Sequence, residues 1–528
     1  PLLQSSAASD VYKRQVSQGM LPDVFQQYIM KYLDDTDCNV LSRVSHGCLD
    51  AVIESGRDPV CAMRVSKFVH SPAMLRWAQT QGVPWDWRLC RAAAASGKLE
   101  SVQWLREQGF YAGPKPEEWG YRNGCPWTAD TCVAAARGGH LDILKWAHAH
   151  GCPLNSAVFA NAANGGYFEM MCWLREVGCP WDELTPICAA RGGHLEILRW
   201  LKAEGCPWGS AVCAKAAKNG QLAVLKWLKR HNFHWHSSAI QYACEGGHLE
   251  ALKWLRAEGE TWDEQAVWDA AKGGHLHVLE WLRAENCPWP HSAGDVAARF
   301  GHLDCLKFLH SQGGILHDWT CQEAAVGGHL DMLKWLRMQG CPWNLWTPVQ
   351  AARHGHLEVL KWAHKQGCPV DARVCAAAAY GGHVELLEYL RAEEVPWDEQ
   401  TCAHAALGGH LSVLQWARAR GCPWNMYTCE YSAWEGNLHI LKWARQHGCL
   451  WNSRTCAFAA IGGHLDVLKW LRQHGCPWDG WTIQKATEEG NFELRDWALK
   501  HGCLSTSAST EFNLSNFPND EFLQMLDG

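Results

Sequence analysis

The chain has 528 residues, and its 48 lysines and arginines against 55 aspartates and glutamates give a formal net charge of −7 at pH 7. This acidic balance argues against binding driven by overall charge, so we do not expect nucleic acid as a partner. No apolar run approaches the roughly 18 residues of a membrane-spanning helix, and no secretory signal is readable, so we expect a soluble intracellular protein of the cytoplasm or nucleus with no membrane partner.

The first 19 residues, PLLQSSAASDVYKRQVSQG, show neither a helical nor a strand period. The first methionine is Met20, which directly precedes a segment with clear helical spacing. We therefore expect residues 1–19 to be a non-native leader, and we take residues 20–55 as the first folded module.

Residues 20–55 contain two short helical patterns. Apolar residues recur at Phe25, Ile29 and Leu33, and Asp37 is placed to cap a second helix. The simplest interpretation of this segment is a helical cap for the part of the chain that follows it.

The same segment resembles an F-box. The F-box pattern is a Leu-Pro pair, an apolar residue three positions on, a helix ending in Tyr-Leu, an Asp four residues later and a Leu-Ser-x-Val-Ser run. The matching residues are Leu21, Pro22, Phe25, Ile29, Tyr32, Leu33, Asp37, Leu41, Ser42, Val44 and Ser45. Two residues depart from it, Cys38 where Leu is usual and Cys48 where Trp is usual.

The F-box resemblance implies that residues 21–52 dock a Skp1-like adaptor of a cullin-RING ubiquitin ligase. The adaptor-binding residues would be Leu21, Pro22, Phe25, Ile29 and Leu33.

Most of the remaining chain repeats with a period of 27 residues. If the His of a recurrent Gly-His step is position zero, this position recurs at 140, 167, 194, 221, 248, 275, 302, 329, 356, 383, 410, 437, 464 and 491, with imperfect starts at 71 and 98. A fixed period in this range is typical of a repeat array in which each unit packs on its neighbours. The pattern predicts some sixteen repeats over residues 56–504.

The repeat at residues 343–369 contains two helical signals and no strand. Thr347 followed by Pro348 predicts the start of the first helix, with Thr as the N-cap and Pro at the first helical position. Gly355 is predicted to end that helix in a left-handed conformation. The second helix, from Leu357, is apolar except for one narrow stripe, as expected for a helix packed between neighbours.

These units resemble the ankyrin repeat, whose pattern is Thr-Pro, a pair of alanines, Gly-His, an apolar helix and a closing Gly. One matching set is Thr185, Pro186, Ala189, Ala190, Gly193, His194, Leu195 and Gly205. Ankyrin units have 33 residues, and the missing six fall where ankyrins form a β-hairpin finger, which a Cys-Pro-Trp-Asp/Asn turn replaces. The resemblance implies an all-α, ankyrin-like helical-repeat solenoid that binds a protein partner on its concave face.

Two segments interrupt or end the repeat. Residues 110–124 are an insertion rich in glycine and proline, which predicts a loop. A tolerated surface insertion is the simpler interpretation, and a binding loop is the alternative. Residues 505–528 are rich in Ser, Asn and Asp, and we expect a polar closing cap followed by a mobile tail.

The 26 cysteines raise the question of a disulfide framework. Most of them occupy two columns of the repeat, and successive members of a column would lie roughly 8–10 Å apart. That separation exceeds the ~7 Å between Cα atoms that a disulfide can bridge. No C-x-x-C pair is present, so we predict buried, reduced thiols, no disulfides and no metal site.

The 28 histidines also have a structural interpretation. Ten of them stand at position zero, where Tyr, Gln and Asn also occur, and all four residue types form hydrogen bonds. This predicts a structural bond between neighbouring repeats. No motif of a hydrolase, metalloprotease or nucleotide-binding enzyme is present, so we predict no catalytic residues, no cofactor and no enzyme activity.

Aromatic residues fall into two groups. Of the 33 tryptophans, 26 occupy two columns, one in the turn and one on the second helix, and we predict that these form the core. The column ten residues before position zero changes from small and polar to aromatic and basic in the later repeats. The column three residues before position zero is mainly basic between residues 137 and 353, and it is mainly apolar in the later repeats.

The changed columns predict a partner-binding surface, because Trp, Tyr and Arg are enriched at interface hot spots. Its residues are Trp319, Trp346, Arg373, Tyr380, Leu407, Tyr427, Trp434, Arg454, Ile461 and Trp481. The alternative is that these side chains pack against their own repeats.

These features predict a protein-binding solenoid that acts as the substrate-recognition subunit of an SCF-type ubiquitin ligase. The alternative is an ankyrin-repeat scaffold with no link to a ligase, whose N-terminus is only a cap.

Overall fold

The computed structural model describes residues 69–80, 87–107, 127–233 and 238–503, and every regular element in these ranges is an α-helix. The predicted leader, the F-box-like module, the insertion at 110–124 and the tail from residue 505 lie outside the described residues. None of the helices in the described ranges is long and apolar enough to cross a membrane.

The helices alternate between the two positions of the repeat, the odd-numbered ones being second helices and the even-numbered ones first helices. They are α1 (Pro72–Thr80), α2 (Trp87–Ala95), α3 (Leu99–Glu107), α4 (Ala129–Gly138), α5 (Leu141–Ala149), α6 (Ser156–Gly165), α7 (Phe168–Glu176), α8 (Leu184–Gly192), α9 (Leu195–Ala203), α10 (Ala211–Lys218), α11 (Leu222–Arg230), α12 (Ala239–Gly246), α13 (Leu249–Ala257), α14 (Gln265–Gly273), α15 (Leu276–Ala284), α16 (Ala293–Arg299), α17 (Leu303–Ser311), α18 (Asp318–Val326), α19 (Leu330–Met338), α20 (Trp346–Arg353), α21 (Leu357–Lys365), α22 (Ala372–Tyr380), α23 (Val384–Ala392), α24 (Glu399–Leu407), α25 (Leu411–Ala419), α26 (Met426–Trp434), α27 (Leu438–Gln446), α28 (Ser453–Ile461), α29 (Leu465–Gln473), α30 (Gly480–Glu488) and α31 (Phe492–Lys500).

The chain divides into two compact units, Pro1–Thr261 and Trp262–Gly528. Within each unit the first helix of a repeat packs closely on the first helix of the next repeat, and on the second helix of its own repeat. Neighbouring second helices contact each other less closely. The fold is therefore the predicted all-α, ankyrin-like helical-repeat solenoid.

The start of the first helix differs from the prediction. Helix α20 begins at Trp346, so Thr347 lies inside the helix and is buried, and the prediction that it is the N-cap was wrong. In the next repeat the cap is Asp371, whose carboxylate accepts a hydrogen bond from the Arg373 backbone N–H at 3.0 Å. An Asp or Asn at this extended position caps the helix before the Thr is reached.

The Gly-His step links neighbouring repeats, and this prediction is confirmed. The Nε2–H of His383 donates to the Arg353 carbonyl of the preceding repeat, with the two atoms 3.2 Å apart. The same bond recurs at 2.9–3.1 Å for His194, His248, His302, His329 and His356. Gly355, at φ 81°, lies against the His383 ring, and a Cβ there would come within 2.6 Å of it. Glycine is required at this position by both its conformation and the close approach of the ring.

The tryptophan columns form a half-buried ladder. Trp343 of the turn packs edge-on against Trp362 of the second helix with ring centroids 5.7 Å apart, and the guanidinium carbon of Arg337 lies 4.2 Å from the Trp343 centroid. The prediction that these columns are core holds in part: Trp424, Trp451, Trp470, Trp478 and Trp497 pack against a buried core cluster, but among the described residues only Trp104 and Trp227 are themselves buried. The rings stay at the surface because neighbouring second helices pack less closely than first helices. The turn itself replaces a hairpin finger, as predicted.

The two cysteine columns meet inside the repeats. The Sγ atoms of Cys321 and Cys341 lie 3.3 Å apart, and the Cys341 thiol also donates to the His317 carbonyl at 3.1 Å. The cysteines of the described ranges are free thiols, and nearly all are buried, so their predicted burial is confirmed. Burial raises the pKa of the Cys368 thiol to about 12, which keeps it protonated and unreactive.

Candidate partner-binding surface

The predicted partner-binding residues lie on one face of the first helices. Positions ten, seven, six and three before position zero share this face, because they are spaced by three and four residues along a helix. We call it the first-helix face. The ten predicted residues occupy its first and last positions on helices α18, α20, α22, α24, α26, α28 and α30.

Exposure divides the predicted residues. Trp319 is 50% exposed, whereas Leu407 is only 6% exposed and is therefore not available to a partner. The intermediate residues are Trp346, Arg373, Tyr380, Tyr427, Trp434, Arg454, Ile461 and Trp481. We divide the face into an open section on α18–α22, which contains the exposed Trp319, and a closed section on α24–α30, which contains the buried Leu407.

The closed section is a layer of aromatic side chains packed on one another, which we call the packed section. Tyr431 and Phe458 are buried in it, with Trp434 lying 6.3 Å from the first ring centroid and 5.8 Å from the second. Phe458 also lies 6.2 Å from Trp481 of the next repeat. In this section the geometry corresponds to the alternative interpretation, in which the aromatic side chains pack against their own repeats.

Sequence reasoning missed the buried members of the packed section. His404, Tyr431 and Phe458 stand six residues before position zero, and together they form a third column that turns aromatic in the later repeats. That change in the column was the available signal. These side chains fill the space beneath the residues that were predicted.

Two titratable groups are buried in the packed section. The Glu430 side chain is fully buried, and its Oε2 lies 3.6 Å from Nη2 of Arg454. Burial raises the pKa of Glu430, and the Arg454 guanidinium opposes that shift. Burial also lowers the pKa of His404 to about 4, while its Nδ1 lies 2.8 Å from the Gln400 carbonyl oxygen.

The open section combines aromatic rings with arginines, and we call it the basic-aromatic section. The guanidinium carbon of Arg373 lies 5.7 Å from the Trp346 ring centroid, and that of Arg353 lies 5.1 Å from the Tyr380 centroid. Both contacts fall within the range of a cation–π interaction. The half-exposed Trp319 stands at the same repeat position as Trp346 on the preceding first helix, so the section extends over three first helices.

Cationic groups cluster around His354, next to Arg353 at the end of α20. The pKa of His354 is lowered first by burial and then by the charges of Arg353, His356, Arg299 and His383. Because like charges disfavour a further positive charge, this shift indicates that cationic groups converge at the end of α20.

The family comparison identifies the repeat unit. Residues 213–289 match a protein-family model described as ankyrin repeats, in three copies. Residues 213–289 therefore match three ankyrin repeats. The ankyrin resemblance drawn from the residues is therefore confirmed, whereas the F-box resemblance finds no support among these matches.

Other comparisons add little to this identification. No curated protein matches the chain. Among solved structures, the human ASB11 ankyrin repeat domain is 22% identical, covers 30% of this chain and 84% of its own, and has a TM-score of 0.25. The pentatricopeptide repeat protein PPR10 from maize is 12% identical, covers 96% of this chain and 94% of its own, and has a TM-score of 0.22. At these TM-scores neither likeness carries a conclusion about this chain.

The basic-aromatic section presents groups suited to binding contacts. Among the described residues, no group of three or more His, Cys, Asp or Glu side chains is arranged to hold a metal ion. What the basic-aromatic section offers instead is ring surface and guanidinium groups, which bind by apolar, cation–π and charge-assisted hydrogen-bonding contacts.

Proposed function

We propose that the later ankyrin repeats bind a protein partner through the basic-aromatic section. The observation that carries this proposal is Trp319, a large apolar ring that is 50% exposed and stands at the same repeat position as the half-buried Trp346. Exposed apolar surface grouped with arginine is typical of interaction sites. The packed section supports the surface from one side and holds its helices in place.

We expect Trp319→Ala combined with Trp346→Ala to weaken partner binding at least thirty-fold, which corresponds to about 2 kcal/mol, the threshold of an interface hot spot. The melting temperature should change little, because neither ring is enclosed. Quantitative co-purification with the tagged full chain identifies partners, and titration calorimetry then gives the affinity.

The matched control is Met338→Ala, which removes a 75% exposed apolar side chain from second helix α19. Partners that bind the basic-aromatic section are retained by this control and lost from the tryptophan variant. If both variants retain the same partners at the same affinity, the proposed surface is wrong.

We also propose that residues 21–52 dock a Skp1-like adaptor, which would make the chain a substrate-recognition subunit of an SCF-type ubiquitin ligase. This proposal is supported by the sequence match at Leu21, Pro22 and the Leu-Ser-x-Val-Ser run, and by the position of that motif directly before a protein-binding array. The alternative remains a scaffold with no ligase link.

Residues 20–528 should capture a purified Skp1-like adaptor, and the double variant Pro22→Ala, Leu33→Ala should lose that capture with an unchanged circular dichroism spectrum. The tryptophan variant of the repeats serves as the control and should capture the adaptor normally. Failure of the intact chain to bind the adaptor would favour the scaffold.

A further inference from the structure

The basic-aromatic section has a chemical complement within the same chain. Residues 504–528 carry four carboxylate side chains and neither lysine nor arginine. The acidic residues are Glu511, Asp520, Glu521 and Asp527, and phenylalanines stand beside or between them at 512, 517 and 522. The section offers Arg353 and Arg373 beside aromatic rings. Arg373 also pairs with Asp371, but both side chains are more than 40% exposed, so an acidic residue of the segment can reach the guanidinium from solvent.

The acidic pair at Asp520 and Glu521 is within reach of the section. Five repeat steps separate the repeat of Arg353 from the last repeat, which ends at Cys503, and stacked helices lie about 8–10 Å apart, so the path is about 40–50 Å. Glu521 is 18 residues beyond Cys503, and an extended chain of that length spans roughly 60 Å.

Covalent attachment favours such a contact even when each interaction is weak. A segment tethered next to its binding site has an effective concentration of about 1 mM for short flexible connections. An 18-residue flexible connection has a mean end-to-end distance of roughly 23 Å, which is shorter than the path, so the effective concentration is lower than this and the ion pairs and ring contacts must act together.

We propose that residues 504–528 bind the basic-aromatic section of their own chain, with Asp520 and Glu521 beside Arg353 and Arg373 and Phe522 against the exposed rings. The segment then occupies the surface that the proposed function assigns to a protein partner, so partner and segment compete. The consequence for regulation rests on that proposed function, whereas the contact itself does not.

Photocrosslinking in the full chain tests the contact directly. A benzophenone amino acid replaces Phe522, the protein is irradiated, and the crosslinked peptides are mapped by mass spectrometry. We expect crosslinks to α18, α20 and α22 within one molecule, with a yield that does not change on tenfold dilution. Crosslinks that map elsewhere, that are absent, or that disappear on dilution would overturn the inference.

Two variants test the role of charge. Neutralising the segment through Glu511→Gln, Asp520→Asn, Glu521→Gln and Asp527→Asn leaves the repeats untouched and should lower the crosslink yield at least fivefold. Arg353→Gln with Arg373→Gln should have the same effect, whereas Lys334→Gln with Lys361→Gln, which removes the same charge from α19 and α21, should not. An equal yield in all four proteins would contradict the proposed ion pairs.

The two proposals fail separately. If crosslinks reach the section but the tryptophan variant retains every partner, the segment contact holds and the proposed function is wrong. If the tryptophan variant loses its partner while no crosslink reaches the section, the proposed function holds and the segment contact is wrong.

Discussion

Replacing Arg454 with alanine is expected to lower the free energy of unfolding by about 3–5 kcal/mol at neutral pH. Glu430 is fully buried, and the Arg454 guanidinium 3.6 Å away is the charge that compensates it. Without Arg454 the carboxylate must stay ionised in an apolar layer or take up a proton. Equilibrium denaturation in urea measures the loss.

A matched control separates this buried pair from an ordinary surface pair. Arg373 stands at the same repeat position as Arg454 but pairs with Asp371, and both of those side chains are more than 40% exposed. Arg373→Ala should therefore cost less than about 1 kcal/mol. Adding Glu430→Gln to Arg454→Ala should recover most of the loss, because a neutral amide is much less costly to bury than a charge.

The pH dependence of the Arg454→Ala loss follows from the direction of the Glu430 shift. Burial raises the pKa of Glu430 above its unfolded value, so between the two values the folded protein binds more protons and stability falls as pH rises. Removing Arg454 raises that pKa further. The loss should thus shrink from pH 7 to pH 5, and a loss that is equal at both pH values would contradict the explanation by charge.

The repeat architecture was predictable because its signals recur. Position zero and the two glycines around each second helix predicted the order of the helices. Gly355 has the left-handed conformation that was predicted at the end of the first helix. The N-cap was misassigned because the Thr-Pro signal at Thr347 drew attention away from Asn344, whose side-chain oxygen accepts a hydrogen bond from the Trp346 backbone N–H at the start of the helix. The family pattern and the local capping pattern predict different starts for the first helix, and the structure follows the local capping pattern.

The Glu430–Arg454 pair inside the candidate surface was not predictable from columns taken one at a time. Glu430 stands where the neighbouring repeats carry Ala403 and Ala457, so the column reads as small and apolar. Its partner Arg454 is 24 residues away and belongs to a different column. Contacts between neighbouring repeats join different columns, and a periodicity argument compares each column only with itself.

The degree of burial of the tryptophan columns was also not predictable from the sequence pattern. Their apolar character predicted core, but the looser packing of second helices leaves Trp343 and Trp362 at the surface of their repeat. The cysteine argument considered distances only within a column, and so it overlooked the approach of Cys321 to Cys341 across columns. In each case the residue type was informative, whereas the spacing between helices was not contained in the sequence pattern.

Acid is expected to destabilise the protein through His404, by about 3 kcal/mol between pH 6.5 and pH 4. Burial lowers the pKa of His404 from 6.5 to about 4, so in this window the unfolded chain binds a proton that the folded chain does not. The stability that depends on neutral His404 is complete above pH 6.5 and is lost as pH falls towards 4. Urea denaturation at pH 6.5, 5.5 and 4.5 measures the change.

The informative variant is His404→Phe, because the next two repeats carry the aromatic residues Tyr431 and Phe458 at the same position. It should fold at pH 6.5 and lose most of this acid sensitivity, whereas His439→Phe, at an exposed site on α27, should keep it. Glu430 contributes with the opposite sign, because its raised pKa favours the folded state as pH falls. The difference between variant and parent therefore isolates His404, and equal acid sensitivity in both would show that its burial is not the cause.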